Sequence, residues 1–192
     1  GLPASIGLFM MAEPIMLTVF QHGEFTQDSA YSASLSLKAY IVGLMGFMLI
    51  KVLATGFFSR QDTKTPVKIG IIAMSTNMVF NLILFYPLEH VGLALATAIS
   101  AIVNASLLFY NLRSHGFFTA DTRWRPWLLK LGFGNITLIG FIFMVMAPVE
   151  TWQGWGLIDR AWHMLLLILG SVLVYFVSLL LVGVRMKDIR HA

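Results

Sequence analysis

The sequence predicts an all-α integral membrane protein with six transmembrane helices, and three observations carry that prediction. First, two apolar runs of about 20 residues, 67–86 and 91–112, are separated only by Pro87-Leu88-Glu89-His90, and each is long enough to cross a hydrocarbon core of roughly 30 Å as one helix. Second, Arg60, Lys64 and Lys68 flank this pair on one side and Arg113, Arg123 and Arg125 on the other, whereas its tip carries only Glu89 and His90. Third, 58% of the residues are hydrophobic and 11% charged, with a mean hydropathy of +0.80, against about 45–50% apolar and 25% charged in soluble domains.

The spans follow in order. The first covers 2–20 and is interrupted by Glu13-Pro14. The second covers 34–58 and carries Lys38 and Lys51. The third and fourth are the hairpin at 67–86 and 91–112. Thr65-Pro66 is expected to open the third, as a hydroxyl N-cap followed by proline at the first helical position. Pro87 is expected to close it. The fifth covers 127–147, stopped by Pro148, and the sixth covers 162–184. Trp124, Trp127, Trp152, Trp155 and Trp162 lie near span ends, as interfacial aromatics do. A soft boundary at 113–125 sets the four spans of 1–112 apart from a loop, two plainer helices and a tail in 113–192.

Loop charge orients these spans. The loop 21–33 holds Glu24 and Asp28 but no lysine or arginine, while 59–66, 114–126 and the tail after 184 are basic. Of the thirteen basic residues, only Arg160 lies clearly on the opposite side. Both ends of the chain are therefore expected in the cytoplasm. The basic residues are spread over short loops and form no single face, which argues for anionic lipid and against nucleic acid as their partner. There are no cysteines, so disulfides and thiolate metal sites are excluded. The chain opens at Gly1, with no charged segment ahead of the first apolar run, and is expected to be a fragment that begins inside a larger membrane protein.

Polar residues within the spans are the candidates for function. Glu13 and Lys51 each lie about 11 Å inside the bilayer from opposite faces, so their side chains are expected within reach of one another, or of a water-filled substrate pathway. Asn77 and Asn81 share one helix face, and Thr97, Ser100 and Asn104 form a second polar stripe across the hairpin. Their oxygens suit either a hard cation or interhelical hydrogen bonds. Gly92, Ala96 and Ser100, and Gly43 with Gly46, have the spacing of small residues that let helices approach closely. Gly132, Gly134, Gly140 and Gly170 leave low points on the last two spans, and Gly140 and Gly170 are candidates for an apolar groove that holds a lipid tail. The five histidines are scattered, and no acid, base or metal-ligand set converges. Neither a catalytic residue nor a cofactor is expected.

Several spaced motifs together resemble one family. They include Glu13-Pro14-Ile15 followed by Phe20-Gln21-His22-Gly23-Glu24-Phe25, then Lys51-Val52-Leu53-Ala54, and Arg60-Gln61-Asp62-Thr63-Lys64-Thr65-Pro66-Val67-Lys68. Gly92-Leu93-Ala94-Leu95-Ala96-Thr97 and Asn104-Ala105-Ser106-Leu107-Leu108 extend the match. This pattern, which covers essentially the whole chain, resembles the C-terminal part of the MurJ (MviN) lipid II flippases of the multidrug/oligosaccharidyl-lipid/polysaccharide exporter superfamily. The resemblance implies a fourteen-helix transporter of the bacterial inner membrane. Within it, 1–112 would be the last four helices of the second lobe and 113–192 an additional helix pair. It implies alternating-access translocation of undecaprenyl-diphosphate-linked peptidoglycan precursor, with lipid II, membrane lipids and an N-terminal lobe as partners. A flippase for another polyprenyl-linked polysaccharide, of O-antigen type, is the alternative cargo reading. A non-transport membrane scaffold is the alternative class. The resemblance also implies an energy source, either a coupling ion (Na+ or H+) or the membrane potential. Sodium-using members carry an acidic residue near Asn81, where this sequence has an amide. Lys51 is the best cationic candidate that this stretch offers for the diphosphate.

Overall fold

The computed structural model describes residues 1–20, 27–115 and 124–183, all in helices and short links, with no strand among them. The helices are α1 (Leu2–Met10), α2 (Ala12–Phe20), α3 (Gln27–Phe58), α4 (Lys64–Ser114), α5 (Trp124–Val145), α6 (Val149–Gly154) and α7 (Leu157–Leu181). Four of them, α3, α4, α5 and α7, are long and apolar enough to cross a membrane, and α1 with α2 forms a fifth such segment bent by 66°. This is a multi-pass membrane protein. The 51 residues of α4 would measure about 76 Å if straight, more than twice the hydrocarbon core. They are not straight. Glu89 leaves the helical region (φ 47°, ψ −126°), and the Asn77 side chain reaches the Thr97 hydroxyl at 3.3 Å. On a straight helix those two positions would lie about 30 Å apart, so the arms on either side of Glu89 fold back on each other. Among the described residues four to five segments of crossing length are thus present where six were expected, and the sixth would require the two arms of α4 to cross separately.

Helix ends differ from expectation in instructive ways. Helix α4 opens at Lys64 rather than Thr65-Pro66, because the carboxylate of Asp62 accepts the Thr65 N–H at 3.1 Å. A charged acceptor suits the positive end of the helix dipole. Hydrogen bonds from the Thr65 hydroxyl and N–H, helped by the Lys64 N–H and the field of His115, hold the Asp62 carboxyl below the usual range. Pro87 does not close the first arm, and the break comes two residues later at Glu89. A proline loses its own bond to the preceding turn but leaves the next residues free to stay helical. Helices α3 and α7 begin at Gln27 and Leu157, well before 34 and 162, and α6 lies in what the sequence presents as a loop. Hydropathy marks the lipid-crossing length, whereas hydrogen-bonded helix continues into polar sequence such as Gln27-Asp28-Ser29.

The chain divides into two compact units. One contains Gly1 and residues Asp28–Thr119, hence α3 and both arms of α4. Added Cβ atoms at Gly43 and Gly46 would lie 2.7 Å from Ala98 Cα and 3.0 Å from the Ala101 carbonyl carbon, and one at Gly56 would lie 3.3 Å from Leu112. These contacts advance together along both helices, so α3 and the second arm run parallel. Ala94, Ala98, Ala101 and Ala105 form the buried face that permits so close an approach. Near the tip, Gly92 packs its backbone on the Leu84 carbonyl of the first arm. At the other end Leu53, Phe57, Ile69, Leu108 and Leu112 make an apolar cluster. The exposed Arg60, Lys64, Lys68 and Arg113 sit just beyond it, at the end opposite Glu89 and His90.

The other unit contains Leu2–Gln27 and Ala120–Ala192, so contacts group the broken first span with the last two. Helices α5 and α7 are antiparallel: Gly134 meets Tyr175, Ser178 and Leu179, while Gly170 meets the ring of Phe141. Helix α1 packs on both, and α2 packs on α6 and α7.

Candidate functional site

In the first unit, Lys51 lies on the exposed face of α3 beside Val52, with Leu53 and Phe57 turned into the core. It stands seven residues, about 10 Å, from the helix end at Phe58. A cation on an otherwise apolar face at that depth is costly in hydrocarbon and economical only toward water or an anion.

The same unit brings Asn77, Asn81 and Thr97 into one directed chain. Asn81 Nδ2 donates to Asn77 Oδ1 at 3.0 Å, Asn77 Nδ2 donates to Thr97 Oγ1 at 3.3 Å, and Thr97 Oγ1 donates to the Leu93 carbonyl at 2.9 Å. Ser100 stays outside this chain and donates to the Thr97 carbonyl of its own helix. The oxygens of Asn77 and Thr97 are thus engaged, while Asn81 Oδ1 and Asn104 Oδ1 are buried without a partner among the described residues. Every group in the chain is neutral. Among the described residues no cluster of histidine, cysteine, aspartate or glutamate is placed to hold a metal ion.

In the second unit, Glu13 sits in the first turn of α2, half-buried, next to the buried Pro14. Glu13 and Lys51 belong to different units. Gly140 faces open space, whereas the Gly170 surface is covered by Phe141. An apolar cavity of about 380 Å³ lies between α1 and α7, bordered by Leu138 of α5 and by Ile168, Ser171, Val172, Tyr175 and Phe176 of α7.

Sequence reasoning missed the role of Arg160. It is 8% exposed and donates to the Leu17 carbonyl at 3.2 Å and the Gln153 carbonyl at 2.9 Å. Those carbonyls lie in the last turns of α2 and α6, where helices present unsatisfied acceptors and the negative end of the dipole. The planar guanidinium serves both helix ends at once. The one basic residue that breaks the loop-charge pattern is therefore a buried clamp. Its only signal in the sequence was that exception. Beside it, Trp152 is fully buried and packs on Trp155, which stacks on His163 at 4.0 Å.

Comparison with known proteins gives a consistent result. A family model described as "Lipid II flippase MurJ" matches residues 1–181. The Vibrio cholerae protein named "Probable lipid II flippase MurJ" is 43% identical over the whole chain. The Haemophilus influenzae protein of the same name is 41% identical over 96% of the chain. The chain spans about a third of these relatives, 37% and 36% of their lengths. A solved structure titled "Lipid II flippase MurJ, inward closed conformation" superposes with a TM-score of 0.74 over 92% of the chain and 34% of its own length, at 23% identity.

Proposed function

Because the chain belongs to the MurJ lipid II flippase family, we propose that it forms part of a transporter that carries lipid II across the bacterial inner membrane by alternating access, and not part of an enzyme. The match of the family over residues 1–181 carries this reading. The helices described here would supply four crossings of the second lobe and the additional pair, and the rest of the transporter would supply the remaining cavity wall. The end of the first unit that gathers Arg60, Lys64, Lys68 and Arg113 is assigned to the cytoplasm, with both chain termini on that side. Arg160 does not oppose this orientation, since it is buried against two helix ends. The decisive experiment is complementation: the full-length gene should restore growth and cell shape to a strain depleted of its lipid II flippase. Failure to do so at normal membrane abundance would reject the assignment.

Lys51 is assigned to the substrate pathway, as a cation for the diphosphate, on the strength of its exposed position on an apolar face. Lys51→Met keeps the stem and removes the charge. Loss of one charge-assisted contact predicts a fall in transport of about tenfold or more, with membrane abundance unchanged. Transport at the wild-type rate would return Lys51 to a headgroup-seeking role. Glu13, near the break in the first span, is assigned to the same pathway. The neutral Asn77–Asn81–Thr97 chain holds the two arms together and offers no carboxylate to exchange for sodium. The groove assigned to the prenyl tail runs along the last two helices, with Gly140 open and Gly170 closed by Phe141.

A further inference from the structure

Helices α1 and α2 read as one span in the sequence, yet they pack on different neighbours, α1 on α5 and α7, and α2 on α6 and α7. Pro14 has no N–H to give to the carbonyl of Met10, four residues back, and its ring crowds that carbonyl. Helix α1 ends at Met10, and the axis bends there by 66°. The ladder resumes at once, with Met11 N–H bonded to the Gly7 carbonyl at 3.0 Å and Ile15 N–H to the Met11 carbonyl at 2.9 Å. The break is therefore a joint, not a loop.

On one side of the joint α2 is pinned. Ala12 and Leu17 are 0% and 1% exposed, and Arg160 fastens the Leu17 carbonyl to the start of α7 and the end of α6. On the other side α1 packs on α5 and α7 through apolar and small residues alone, with Ser5 and Gly7 buried and no charged side chain of its own to fasten it. Behind α1 lies the apolar cavity of about 380 Å³, with Ala4, Gly7 and Leu8 on one wall and Ser171, Val172 and Tyr175 on the other. The cavity is partly open to the outside and forms a groove between α1 and α7. Ser171 is 6% exposed, and its hydroxyl has no partner among the described residues. A buried hydroxyl without a partner costs free energy, and the groove beside it leaves room for α1 to come closer. The small side chains of Ala4 and Gly7 leave α1 free to approach α7.

We propose that the first span is a hinge, with α2 as its fixed half and α1 as its moving half, pivoting at Met11 and closing the cavity against α7. This rests on the alternating-access reading above and names an element that moves. The segment contains no cysteine, so, once any cysteines elsewhere in the full-length protein are replaced, spin labels can be introduced in pairs and measured in liposomes. A Leu2/Leu180 pair, on α1 and α7, is expected to give two distance populations. A Val19/Leu157 pair, on α2 and α7, is expected to give one. Ser171→Phe, and separately Gly7→Leu, should fill the cavity, collapse the first pair to its longer distance, and slow lipid transport by roughly tenfold or more. A single Leu2/Leu180 distance as narrow as the control would overturn the hinge, and so would transport at the wild-type rate in correctly folded filled variants. If the parent protein moves no lipid, the transport reading fails, and the two distance pairs still decide the hinge by themselves.

Discussion

Arg160→Ala is expected to lower the stability of the folded protein by about 3–6 kcal/mol, because two hydrogen bonds from a charged donor, each worth roughly 1.5–3 kcal/mol, are lost at once. The carbonyls of Leu17 and Gln153 would remain at a buried junction of three helices without their guanidinium. Thermal unfolding of the full-length protein in detergent would register this as a large drop in Tm. Arg160→Lys should recover only part of the loss, because one ammonium cannot repeat a planar fork spread over two helix ends. Equal melting of all three proteins would mean that α2 is held by the packing of Ala12, Pro14 and Leu17 alone, and the clamp would be rejected.

Gly92→Ala is the second large effect expected, a destabilisation of about 2–3 kcal/mol from overpacking. A Cβ there would collide with the backbone carbonyl of Leu84, which has no rotamer to yield with, so the arms of α4 would have to separate near their tip. Separation also lengthens the Asn77–Thr97 bond, now at 3.3 Å, so the polar chain weakens with the packing. The opposite sign is expected three residues earlier. Glu89 occupies a conformation with φ 47° and ψ −126°, open to glycine but strained for a residue with a Cβ. Glu89→Gly should raise stability by about 1 kcal/mol, as relief of that strain. Denaturation of the two variants side by side would check the pair. A neutral Gly92→Ala would show that the hairpin tip relaxes without cost.

Much of the membrane architecture is legible from residue order, because bilayer thickness imposes a length on each apolar run and loop charge imposes an alternation. The hairpin at Pro87-Leu88-Glu89-His90, the interruption of the first span at Glu13-Pro14 and the close approach of Gly43 and Gly46 are all local consequences of residue type, and each has its counterpart in the folded chain. The pairing of Asn77 with Thr97 was also open to reading, since an antiparallel hairpin brings the two polar stripes face to face.

What residue order leaves undecided depends on which helices meet. Periodicity shows that a helix has a small or polar face, but it names no partner for that face. Gly170 looks like an open surface until Phe141 is found against it, while Gly140, of the same residue type on the neighbouring helix, stays open. Arg160 reads as an outlier of the charge pattern until α2 and α6 direct their carbonyl ends at it from 143 and 7 residues away. The sequence by itself determined which segments are apolar enough to cross, because that follows from the energetics of each segment in lipid. Tertiary structure alone decided which carbonyls Arg160 satisfies, which glycine is filled and where a cavity remains, because those depend on the meeting of surfaces distant in the chain.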